Sequence, residues 1–108
     1  MALKHAQPLD VIDLHATDEE RGTSSSSSLL KTEHLQLMQL VLPAGHGLPE
    51  HRLPGEIMIQ CLAGEASVTT PNASCRLVAG QLTTLPGNEL HSVHAHCDAT
   101  LLVTLLRV

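Results

Sequence analysis

Gly45-His46-Gly47-Leu48-Pro49-Glu50-His51-Arg52-Leu53-Pro54-Gly55-Glu56-Ile57 is one of two stretches that decide the fold. The other is Gly80-Gln81-Leu82-Thr83-Thr84-Leu85-Pro86-Gly87-Asn88-Glu89-Leu90-His91. Each reads as a strand, a turn and the start of another strand. Gly admits positive φ, while Pro fixes φ and removes a donor, so Pro54-Gly55 and Pro86-Gly87-Asn88 punctuate the chain strongly. The first stretch runs on through Met58-Ile59-Gln60-Cys61-Leu62-Ala63 to Gly64-Glu65, and the second through Ser92-Val93 to Ala95. Each unit carries one central imidazole, His51 in the first and His91 in the second.

Working outward, Leu35 to Leu42 is a strand with two apolar faces, as expected where one face meets a lumen and the other a second sheet or subunit. Pro71-Asn72-Ala73-Ser74 is a hairpin turn between strands at Glu65–Thr70 and Cys75–Val78. His91–His96 and Thr100–Leu106 complete the series, with Asp98 in the turn between them. Short strands separated by regular turn signals predict an all-β sandwich or barrel with no helix longer than a turn or two.

The two units resemble the paired signatures of the cupin superfamily, small barrels in which those signatures supply metal ligands. Gly45, His51 and Gly64 fall in register with the first signature, and Gly80, Pro86 and His91 with the second. Leu53 stands where the family has a second His, Ile57 where it has a Glu, and Ala95 where it has an Asn. The resemblance covers residues 35–106 and implies a double-stranded β-helix, the jelly-roll barrel of that family. It divides the chain into residues 35–108, the barrel, and residues 1–34, a leader belonging to the same domain. In that leader Val11-Ile12-Asp13-Leu14 reads as a short edge strand, His15–Gly22 as an acidic loop or single helical turn, and Ser24–Ser28 as a flexible linker or the start of a strand.

The 108 residues make one domain, able to bury about two-thirds of the unfolded surface. Phe, Tyr and Trp are absent, so the core is aliphatic and no pocket can stack a nucleobase or flavin. A net charge of −5 with six Lys and Arg argues against a nucleic-acid partner. The apolar run Leu101–Leu106 is far short of the ~20 residues that span a bilayer, and Met1–His5 lacks the apolar core of a secretory signal. Three cysteines without close spacing predict reduced thiols. The reading is a cytoplasmic protein with no membrane partner.

By the family register, His51 and His91 are the metal ligands and Ile57, Ile59, Cys61, Val93 and Ala95 line the lumen. Zinc asks for four ligands, and non-haem iron commonly for two His and a carboxylate. A one-residue slip at Pro54-Gly55 would bring Glu56 inward as the missing carboxylate, turn Ile57 out and bring Gln60 in. Glu50 and Glu89 are second choices that face away. His94 and His96 fall on the outer face and His46 in solvent. Cys61 reads as a small buried hydrophobe, Cys75 and Cys97 as unactivated thiols, and Met38 and Met58 as core filler.

The function expected is binding of a small organic molecule in an aliphatic pocket carrying two His, with a divalent metal (Fe, Zn, Ni or Mn) in question. The alternative is a metal-dependent cupin enzyme of dioxygenase, isomerase or decarboxylase type using His51 and His91, and a third is metal-free acid–base catalysis by one His. Apolar character on both faces of Leu35–Leu42 and Thr100–Leu106 predicts a homodimer.

Overall fold

The computed structural model describes residues 5–14 and 24–108. Among the described residues nine strands follow one another with no helix between them: β1 (Ser25–Lys31), β2 (Leu35–Leu42), β3 (Gly47–His51), β4 (Ile57–Ala63), β5 (Glu65–Thr69), β6 (Ser74–Val78), β7 (Leu82–Leu85), β8 (His91–Ala95) and β9 (Ala99–Leu106). They form two antiparallel sheets, ordered β1-β2-β9-β4-β7 and β3-β8-β5-β6. The all-β expectation holds. No helix among the described residues is long and apolar enough to cross a membrane.

Period-two alternation assigns each strand an inner and an outer row. Across the five-stranded sheet, Ile57, Ile59 and Cys61 of β4 lie beside Leu105, Val103 and Leu101 of β9, and Val103 and Leu101 lie beside Met38 and Leu40 of β2. Ala66, Val68, Leu77, Val93 and Ala95 of the four-stranded sheet close the other wall of this aliphatic core. Leu42, Ile59, Leu101, Cys61 and His91 are the largest side chains wholly buried. Each aliphatic one contributes about 1.5–3 kcal/mol by leaving water.

The sheet begins at Ser25, not at residue 35. The Ser-rich run is strand β1, paired residue by residue with β2 from Ser25↔Val41 to Lys31↔Gln36 around a bulge near Leu29, and is not a linker. Hydroxyl-bearing side chains suit a sheet edge, and Ser28 is tied to both His5 and Gln36. Val11–Leu14 forms no strand; it lies alongside the sheet, where the Leu14 carbonyl accepts a bond from the buried Gln39 amide at 2.9 Å. The acidic loop expected at 15–22 lies outside the described residues.

The two Pro-Gly turns meet. The Asn88 amide donates to the Leu53 carbonyl at 2.7 Å, and Gly87 packs so closely on the Pro54 carbonyl that a Cβ there would collide with it. This contact holds the end of β3 and the start of β8 together. At the opposite side Gly64 (φ +78°) turns the chain from β4 into β5 against the backbone of Asp98, where only a residue without Cβ fits.

Candidate ligand site

The β3–β8 ladder pairs Gly47 with His94 and Leu48 with Val93, then shifts so that His51 pairs with His91. Pro49, Glu50 and His51 on β3 therefore span only Ser92 and His91 on β8, a β-bulge of one extra residue. Pro49 suits it, since a residue with no N–H is tolerated at an edge strand or bulge. Without the bulge, Glu50 would stand opposite His91 and share the inward row of Leu48. With it, Glu50 is exposed and His51 turns inward.

His91 is 2% exposed, while His51 is half-buried, and their ring centroids lie 4.3 Å apart at 55°. Each ring is held the same way. Nδ1 of His51 lies 3.0 Å from the Pro49 carbonyl, and Nδ1 of His91 lies 3.0 Å from the Glu89 carbonyl. A carbonyl oxygen only accepts, so Nδ1 carries the proton in both rings, and Nε2 of each neutral ring is left with its lone pair. Neither Nε2 has a hydrogen-bond partner among the described residues. A backbone bond of this kind fixes both the tautomer and the orientation of an imidazole ring.

The rest of the expected lumen follows the family register. Ile57, Ile59, Cys61, Val93 and Ala95 are all buried, and Leu53 packs against the core where the second His of the signature would stand. The slip at Pro54-Gly55 does not occur: Ile57 faces inward and Glu56 is exposed. Gln60, which would have turned inward with Glu56, lies in the outer row with Leu102 and Leu82. Met58 is also outward and exposed, while Met38 packs on the core as expected. Among the described residues no group of three His, Cys, Asp or Glu side chains is placed to hold a metal ion. The donor set is two imidazoles, short of the three protein ligands of a catalytic zinc site and of the carboxylate in a two-His iron site.

His94 and His96 face outward, 5.2 Å apart in a T-shaped arrangement, with His96 hydrogen-bonded to Ser67 at 2.6 Å. His46 is exposed and bonded to Ser24. Cys61 donates to the Ala63 and Gly64 carbonyls, and burial pushes its thiol pKa up, only partly offset by the Ala63 bond. It is a packed hydrophobe rather than a nucleophile. Cys75 and Cys97 are exposed and free.

A second feature was not legible in the residue pattern. A cleft of about 250 Å³ opens where the edge strands β6 and β7 of the two sheets approach, lined by Val68, Thr70, Ser74, Cys75, Thr83, Leu85, Glu89 and Ala73. Thr83 pairs with Ile59 and Leu85 with Ile57, so the wall from β7 belongs to the inner row. Glu89, expected to face away, is half-buried in this lining. Neither His51 nor His91 is among the described lining residues.

Neither a protein-family model nor a curated protein matches the chain. Solved structures do match it. A conserved protein of unknown function from Streptococcus pyogenes superposes with a TM-score of 0.81 at 23% identity, over 100% of this chain and 96% of that one. A cupin superfamily protein from Desulfitobacterium hafniense gives 0.80 at 19% identity, over 100% of both chains. An RmlC-like cupin from Methanocaldococcus jannaschii with a double-stranded β-helix fold gives 0.73 at 19% identity, over 90% of this chain and 92% of that one. At such identities the likeness speaks for the fold, and the fold is the one expected.

Proposed function

From a small cupin barrel whose lumen holds two imidazoles and an otherwise aliphatic wall, we propose that this protein binds a small organic molecule without transforming it. What carries the reading is the pair of Nε2 lone pairs, each freed by a backbone-held Nδ1–H and left without a protein partner. Two fixed acceptors beside apolar walls recognise a ligand with a hydroxyl or N–H donor and a small aliphatic body. Among the described residues the two imidazoles alone do not complete a zinc or iron donor set.

The test is native mass spectrometry with elemental analysis of freshly purified protein, followed by ligand retention in His51→Ala and His91→Ala. The expected result is a co-purifying small molecule lost from both variants, with no stoichiometric transition metal. Stoichiometric iron, nickel, zinc or manganese, or turnover that disappears in both variants, would replace this reading with the metal-dependent enzyme.

The homodimer belongs to the same reading. On the outer face of the five-stranded sheet, Met58, Leu82 and Leu106 are exposed. The outer row of the four-stranded sheet instead runs Arg76, Ser67, His94. A second copy is expected on the apolar face, and sedimentation at micromolar concentration checks it.

A further inference from the structure

The cleft between β6 and β7 is chemically unlike the imidazole pair, and neither His51 nor His91 is among its described lining residues. Its floor is apolar: Val68 is buried and Leu85 half-buried, while Ala73 and Cys75 are exposed at its edge. The hydroxyls at its rim are partly committed. Thr70 donates to the Ala73 carbonyl and accepts from the Ala73 amide, and Ser74 is bonded to Thr69. Thr83 has no hydrogen-bond partner among the described residues, nor does the carboxylate of Glu89. No Lys or Arg is among the described residues that line the cleft.

A lining of this kind offers acceptors and lacks charged donors. An ionised carboxylate only accepts, and an ammonium group only donates, up to three times. An anionic ligand would meet Glu89 with nothing to neutralise it, in a chain already at −5. The volume, about 250 Å³, lies below the roughly 300–1,000 Å³ of clefts that take drug-sized compounds. We propose that this cleft is a binding site for a small primary ammonium compound, its charge on Glu89 and its short alkyl body on Val68 and Leu85. The site meets the imidazole pair only at Glu89, whose backbone carbonyl holds His91 while its side chain lines the cleft, and Glu89→Gln leaves that carbonyl in place.

The experiment uses the full chain and three probes of one shape and different charge: n-butylammonium, n-butanol and butyrate. Each is titrated against backbone amide shifts in wild type and in Glu89→Gln, whose amide spectrum also reports whether the variant is folded. The expected result is saturable movement of the Val68, Thr83 and Leu85 amides with n-butylammonium, about tenfold weaker with n-butanol and weakest with butyrate. Glu89→Gln brings n-butylammonium to the level of n-butanol. Butyrate binding as tightly as n-butylammonium, or unchanged n-butylammonium affinity in Glu89→Gln, overturns the proposal. So do shifts confined to His51 and His91, which would at the same time support binding in the lumen.

Discussion

His51 stands across the β3–β8 ladder from His91, ring centroids 4.3 Å apart, because β3 carries one residue more than β8 between this pair and the Leu48–Val93 pair. The bulge selects which side chain of Glu50-His51 faces the lumen, and therefore whether the second group there is an acid or a base.

Deleting Pro49 should remove the extra residue and leave a regular ladder, with Glu50 opposite Ser92 and His51 still opposite His91. The expected outcome is a folded chain in which nuclear Overhauser contacts between the two imidazoles persist. Loss of those contacts would show that the extra residue itself is needed to pair them.

The two rings should differ in structural weight. His91 is 2% exposed, so His91→Ala opens a cavity and strands the Glu89 carbonyl, at a cost of about 2–4 kcal/mol in urea unfolding. His51 is only half-buried, and His51→Ala should cost about 1 kcal/mol or less.

Gly64→Ala should be severe for its size. The residue sits at φ +78° with the Asp98 backbone where a Cβ would go. The positive φ alone costs about 1–3 kcal/mol, and the collision adds to it. Gly80→Ala provides the control: φ is +92° there but nothing lies within 4 Å, so the loss should be smaller.

The thiols should separate by kinetics and by pH. Cys75 and Cys97 should react with a disulfide reagent at once, and Cys61 only on unfolding. Since burial raises the Cys61 pKa, the folded state holds that proton more tightly than the unfolded state. Stability is then full below the ordinary thiol range and falls as pH rises through it. Cys61→Ala should flatten that alkaline decline.

Much of this barrel is legible in the residues. Ile57-Met58-Ile59-Gln60-Cys61 alternates cleanly in burial, and His91-Ser92-Val93-His94-Ala95 does the same, because the strand period is two and one face must be dry. The meeting of His51 and His91 follows from the paired signatures. The bulge leaves a fainter trace, a Pro at position 49, and a Pro cannot by itself say which way the next two side chains turn. Strand β1 is hidden for a different reason: serines carry little β signal, and what recruits them is pairing with β2, a tertiary effect. Met58 was misplaced because an apolar side chain on a two-sided strand fits either row. The cleft sets Val68 and Cys75 of the β5–β6 hairpin beside Thr83 of β7 and Glu89, a meeting that only the approach of two sheet edges produces.

The central claim is that both lumen imidazoles are held as Nδ1–H tautomers with Nε2 open. Long-range proton–nitrogen correlation of the imidazoles tests it most directly, at a pH about two units above the ordinary histidine range so that both rings are neutral. The account requires the protonated-nitrogen signature at Nδ1 and the lone-pair signature at Nε2 for His51 and His91. Protonated Nε2 in either ring, the form free histidine prefers, would contradict it.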